Sequence, residues 1–159
     1  MIFVTVGTQF PFNRLINAID KFVGEGKIQE TIFAQIGDGA TLPKNFESVS
    51  SLGKVDFDAK IEAASAVISH AGMGSIMMSF QYGKPLLVLP RLSRFNEVVN
   101  DHQVGIARKF SEAGHLLMSN DESEMYNEIQ KLKDFIPTPR ENQINLVTER
   151  VKRFLETGV

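Results

Sequence analysis

Short runs rich in β-branched and aliphatic residues, most of them followed after a break by helix-spaced apolar positions, constrain this chain more than any other feature. Residues 2–6 form the first such run; Gly7-Thr-Gln-Phe-Pro11 ends it, and Leu15, Ile16, Ile19 and Phe22 then recur at helical intervals. Residues 31–36 read as a second strand stopped by Gly37-Asp-Gly39, and a weaker strand is expected near residues 50–53. Asp56 or Asp58 is the expected cap of a helix holding Ile61 and Ala64. Residues 66–69 are a fourth strand, residues 76–82 read helical, and residues 86–89 are a fifth strand. A helix from about Glu97 carries Val98, Val99, Val104, Ile106 and Phe110, and residues 115–118 read as a sixth strand. Asn120-Asp-Glu-Ser123 has the form of a helix start, and a last helix after Pro139 would carry Ile144, Val147, Val151, Phe154 and Leu155 on one face.

Short strands alternating with helices specify βαβ units, hence an α/β fold with a doubly wound parallel sheet. With 159 residues and no composition shift or internal repeat, residues 1–159 are expected to be one domain. The chain has no cysteine, which excludes thiolate metal sites and cysteine nucleophiles. Seventeen Lys and Arg against 19 Asp and Glu give no pull toward nucleic acid. No stretch nears the roughly 20 apolar residues of a membrane span, and residues 1–6 reach Gly7 without a basic leader. A soluble, cytoplasmic chain is expected.

In parallel sheets ligands collect beyond the carboxyl ends of the strands, which directs attention to three loops. Gly7-Thr-Gln9 enters a helix whose free N–H groups attract phosphate, or is a plain βα turn. Ser69-His-Ala-Gly-Met-Gly-Ser75 sets two glycines at a strand–helix junction, where backbone can approach a ligand closely. It lacks both the full dinucleotide fingerprint and the lysine of a Walker loop. His70 there donates to a phosphate or a sugar hydroxyl, or is satisfied by local backbone. The third loop runs from Arg91 to Asn100-Asp-His-Gln103; its density of polar groups suits a polyhydroxylated ligand, or a solvated helix face. No His pair has metal-ligand spacing, so no metal is expected.

Val4-Thr-Val-Gly-Thr-Gln9, Ile68-Ser-His-Ala-Gly-Met-Gly-Ser-Ile76, Gly83-Lys-Pro-Leu86 and Asn100-Asp-His-Gln103, in that order, resemble the C-terminal domain of family 28 glycosyltransferases. Among its members the chain is most similar to stand-alone PssE-type exopolysaccharide subunits and the soluble half of split N-acetylglucosaminyl transferases, and more distantly to MurG. The resemblance implies a Rossmann-like half of a GT-B fold that binds a UDP-sugar and needs no further cofactor. A membrane-associated partner subunit would supply the second domain, the lipid-linked acceptor and the general base, holding this chain at the inner membrane face. With the first strand beginning at Ile2, that second domain is expected on a separate chain.

Position by position, the resemblance places Gly7, Thr8 and Gln9 against the donor phosphates and His70, Gly72, Met73, Gly74 and Ser75 around the diphosphate. Val55 and Phe57 would border the uracil. Asp101, His102 and Gln103 would contact the donor sugar, with Glu97 and Arg91 nearby. His70 and His102 are the catalytic candidates on this chain, ranked behind a base on the partner. Where MurG carries a carboxylate for the ribose, this chain has Met78. The alternative function is a non-catalytic nucleotide or UDP-sugar binding module.

Overall fold

The computed structural model describes residues 1–139. The final helix expected after Pro139, with its apolar face, lies outside the described residues. Within them, β1 (Ile2–Thr5), β2 (Ile32–Gln35), β3 (Glu47–Val49), β4 (Ala66–Ser69), β5 (Leu86–Val88) and β6 (Leu117–Met118) form one sheet in the order β3-β2-β1-β4-β5-β6. All neighbours pair in parallel, with Thr5 beside Gln35 on one side and Ser69 on the other. The sheet is doubly wound, as the alternation of elements requires.

Because successive strand residues face opposite sides, the apolar runs serve two cores. Ile2 and Val4 pack under α1 (Asn13–Gly24) and α5 (Glu122–Leu132), through Leu15, Ile16, Ile19, Phe22, Met125, Ile129 and Leu132. Phe3 and Val67 face α2 (Lys54–Ala63), α3 (Met73–Gln81) and α4 (His102–Glu112), through Ile61, Ile76 and Ala107. Each large aliphatic side chain so buried contributes roughly 1.5–3 kcal/mol of transfer free energy.

Three boundaries depart from the sequence reading. The third strand lies at Glu47–Val49, before the expected stretch, and Gly53 rather than an aspartate stands at the cap of α2; Asp56 sits in its first turn. Residues 97–101 are not helical. After β5 the chain makes a 3-10 turn at Ser93–Phe95, reverses at Asn96 (φ 56°), and enters α4 only at His102. Asp101 Oδ1 here accepts the Ser93 N–H and Asn100 Oδ1 the His102 N–H, as Asp and Asn side chains do when they compete with helical bonding. Lys84 of the Gly-Lys-Pro motif folds back onto α2, its Nζ donating to Glu62 O at 2.6 Å and Ala64 O at 2.8 Å. It is a helix clamp.

Candidate functional site

β1 and β4 are adjacent in the sheet but lead their chains in opposite directions, so the loops beyond them part. A cleft of about 1480 Å3 opens there, larger than the roughly 300–1,000 Å3 of an ordinary small-molecule pocket. Its floor holds Thr5 and Gln35, polar residues ending otherwise apolar strands, with Thr5 Oγ1 donating to Gln35 Oε1 at 3.1 Å. Ser69 beside them donates to Thr5 O at 2.6 Å. A polar last residue on an apolar strand is a legible signal, and it identifies all three.

One wall is the start of α3. Its first amides have no intrahelical acceptors, no side chain caps it, and its first turn contains no acid. Gly72 approaches the His70 ring so closely that a Cβ there would lie 2.0 Å from Cε1. A Cβ on Gly74, by contrast, would meet nothing within 4 Å. The space beside that turn is open.

His70 Nδ1 accepts the Gly72 N–H at 2.8 Å, which leaves the ring proton on Nε2, with Ser75 Oγ 3.5 Å away. Burial, and secondarily the charge of Arg91, push the imidazole pKa down to about 4 against the opposing effect of Gln103. The ring is therefore neutral near pH 7 and presents a donor. Its other nitrogen is already bonded, so it has no free lone pair with which to accept a proton.

The opposite wall is the 91–103 loop, and it is cross-braced. Arg14 of α1 grips Glu97 through Nε at 2.8 Å and Nη2 at 2.9 Å, and also reaches Pro90 O and Glu122. Burial opposes the Arg14 charge, but hydrogen bonding and attraction to Glu97, then Glu122, outweigh it and raise its pKa. Glu97 also accepts the Leu92 N–H. Asp101 accepts Ser93 N–H at 2.7 Å, a bond that holds its carboxyl below the usual range. His102 Nδ1 contacts Asn100 Oδ1. Gln103 Oε1 accepts the Arg91 N–H, and Arg91 itself donates to Val6 O and Phe10 O.

Of the residues marked out in the sequence, Gly7, Thr8, Gln9, Phe57, His70, Gly72, Gly74, Ser75, Arg91, Glu97, His102 and Gln103 share this cleft. Val55 does not: it lies on the outer face of α2, 81% exposed, while Phe57 turns inward against Phe3. Met73 and Asp101 also lie off the cleft lining, Met73 facing outward from the first turn of α3 and Asp101 turned back onto Ser93. Glu97 is at the cleft but committed to Arg14. Arg14 itself was not singled out in the sequence, because a lone arginine on an amphipathic helix has the form of a solvent contact.

The glycosyltransferase family 28 C-terminal domain matches residues 1–157. The chain belongs to that family. This family 28 domain is 34% identical over 125 residues to the human UDP-N-acetylglucosamine transferase subunit ALG13, a match covering 72% of this chain and 10% of that protein. It thus spans about a tenth of the length of the human and mouse relatives it matches. The solution structure of ALG13 superposes with TM-score 0.59 at 20% identity, covering 94% of this chain and 93% of that one. Acinetobacter baumannii MurG superposes with TM-score 0.54 at 18% identity, covering 81% of this chain and 40% of that one. The family 28 domain therefore has the Rossmann-like architecture of GT-B C-terminal halves, as the sequence resemblance implied. None of its described helices is long and apolar enough to cross a membrane.

Proposed function

We propose that the chain is the UDP-sugar-binding, catalytic subunit of a two-component inverting glycosyltransferase. It transfers a hexose to a lipid-linked acceptor held by a membrane-associated partner subunit. The observation that carries this reading is the uncapped, acid-free start of α3 opening into the cleft beside neutral His70. Partial positive charge on free amides, with a neutral N–H donor beside it, suits a diphosphate. The family membership and the name of the human relative, a transferase subunit, support the rest.

The acceptor hydroxyl attacks the anomeric carbon of the donor sugar. The bond from that carbon to the β-phosphate oxygen breaks, and UDP leaves with the electron pair. Negative charge growing on the diphosphate is met by the first amides of α3 and the His70 Nε2–H, already in place before reaction. No further cofactor or metal is assigned a role. A base removes the hydroxyl proton. His70 has no free lone pair, and we assign that base to the partner ahead of His102; the partner would hold this chain at the cytoplasmic face of the membrane. We place the pair among PssE-type transferases of exopolysaccharide or capsule synthesis.

The test is a thermal-shift screen of UDP and a panel of UDP-hexoses, followed by transfer with membranes containing the partner. Stabilisation by UDP and one UDP-hexose, with transfer only when both subunits are present, is the expected result. No stabilisation by any of them overturns the reading. Stabilisation without transfer, once the partner is demonstrably bound, leaves a non-catalytic UDP-sugar module.

A further inference from the structure

Arg91 lies three residues beyond β5, at the cleft and only 4% exposed. One Nη donates to Val6 O at 2.9 Å and Phe10 O at 2.7 Å, and Cζ lies 5.0 Å from the centre of the Phe12 ring. Its Nε is buried and has no hydrogen-bond partner. The carboxylate whose field reaches it, Glu97, is held by Arg14 and by the Leu92 N–H instead.

The other cations lining the cleft are matched: Arg14 by Glu97 and Glu122, Lys54 by Asp58 at 2.6 Å. Among the described residues, Arg91 pairs with no carboxylate. A buried cation without a counterion is costly to the empty protein, and a guanidinium does not escape the cost by losing its proton at neutral pH. Its field extends to the α3 wall, where it helps to hold His70 neutral. Its bonds to Val6 and Phe10 also occupy two carbonyl oxygens of the β1–α1 turn, acceptors that would otherwise repel an anion.

We propose that Arg91 is the countercharge for the ligand's diphosphate, an unmatched buried guanidinium between the β1–α1 turn and the α3 wall that makes the cleft discriminate by phosphate charge. This rests on the donor reading above and deepens it: the group measured here is the pyrophosphate, ahead of the base or the hexose. A nucleoside diphosphate quenches the unmatched charge, a monophosphate does so less, and a nucleoside does not.

The test is calorimetric titration of the full chain with UDP, UMP and uridine, in the wild type, Arg91→Gln and Arg91→Lys. Wild-type affinity should fall from UDP to UMP to uridine. Arg91→Gln should weaken UDP at least tenfold and uridine less than twofold, while Arg91→Lys, which keeps the charge, should preserve most of the preference for UDP over UMP. Equal losses for all three ligands in Arg91→Gln would reduce the residue to a brace of the turn and overturn the proposal; so would unchanged UDP affinity. Should Arg91→Gln fail to fold, the wild-type Nε–H signal of Arg91 decides by NMR. It should move on adding UDP or inorganic pyrophosphate and stay on adding uridine, and no movement at saturating UDP overturns the proposal. A wild type that binds none of these ligands instead removes the donor reading itself.

Discussion

Two helices of this domain begin in opposite ways. At α5, Asp121 accepts the Ser123 N–H at 2.8 Å and the Glu124 N–H at 3.2 Å, and Glu122 and Glu124 add negative charge to the first turn. At α3, a glycine stands at the cap, the first turn has no acid, and the nearest ring contributes a neutral nitrogen. The first helix has answered its own dipole and gains stability; the second has left it unanswered at a start that opens into the cleft. His70 is central to this difference, since an imidazole satisfies the Gly72 N–H without bringing the negative charge that a capping aspartate would.

The largest expected effect comes from the residue tying the closed end to the cleft. Arg14→Ala strands Glu97 half-buried and releases Glu122, and should cost about 4 kcal/mol by urea denaturation. A loss below about 1 kcal/mol would show the network to be solvent-screened and the two ends independent. Next is pH. A histidine whose folded pKa lies near 4 and whose unfolded value is 6.5 binds more protons when unfolded between those values, so stability falls as pH drops through that window, by about 3 kcal/mol in full. His70→Gln should abolish that slope, and a slope that persists would assign it elsewhere.

Gly74→Asp sharpens the comparison directly, giving α3 the acid that α5 already has. The open space at that position lets the fold accept it, helix stability should not fall, and UDP affinity should drop about 100-fold. Retained affinity would refute the α3 wall as the anion site. The smallest effect is the reverse experiment: Asp121→Ala should lower the denaturation midpoint slightly and leave UDP affinity unchanged. A matching loss of affinity would mean that the two helix starts are not separate devices.

The parallel sheet was readable because β1, β2, β4 and β5 are short apolar runs and α1 has a continuous stripe, whose Leu15, Ile16, Ile19 and Phe22 all proved buried, whereas β3, Glu47-Ser-Val49, has no such run. The Gly-rich junction at residues 69–75 was readable for a similar reason, since glycine pairs between a buried strand and a helix have few structural uses. The 91–103 loop was harder to read. Its Glu97, Asp101 and Gln103 have the composition of ligand contacts, but composition cannot tell a side chain aimed at a ligand from one bonded to Arg14, Ser93 or Arg91. Those partners lie up to 83 residues away in sequence. The Val55 side chain lies off the cleft lining for a reason of phase: once α2 starts after Gly53, a shift of two positions turns Phe57 inward and Val55 out.

Gly7 has a left-handed backbone (φ 78°), and a side chain on it would come within 2.9 Å of His70 Nε2. The turn can therefore pass this close to the imidazole only while position 7 carries no side chain, and any substitution there would both strain the backbone and crowd the ring.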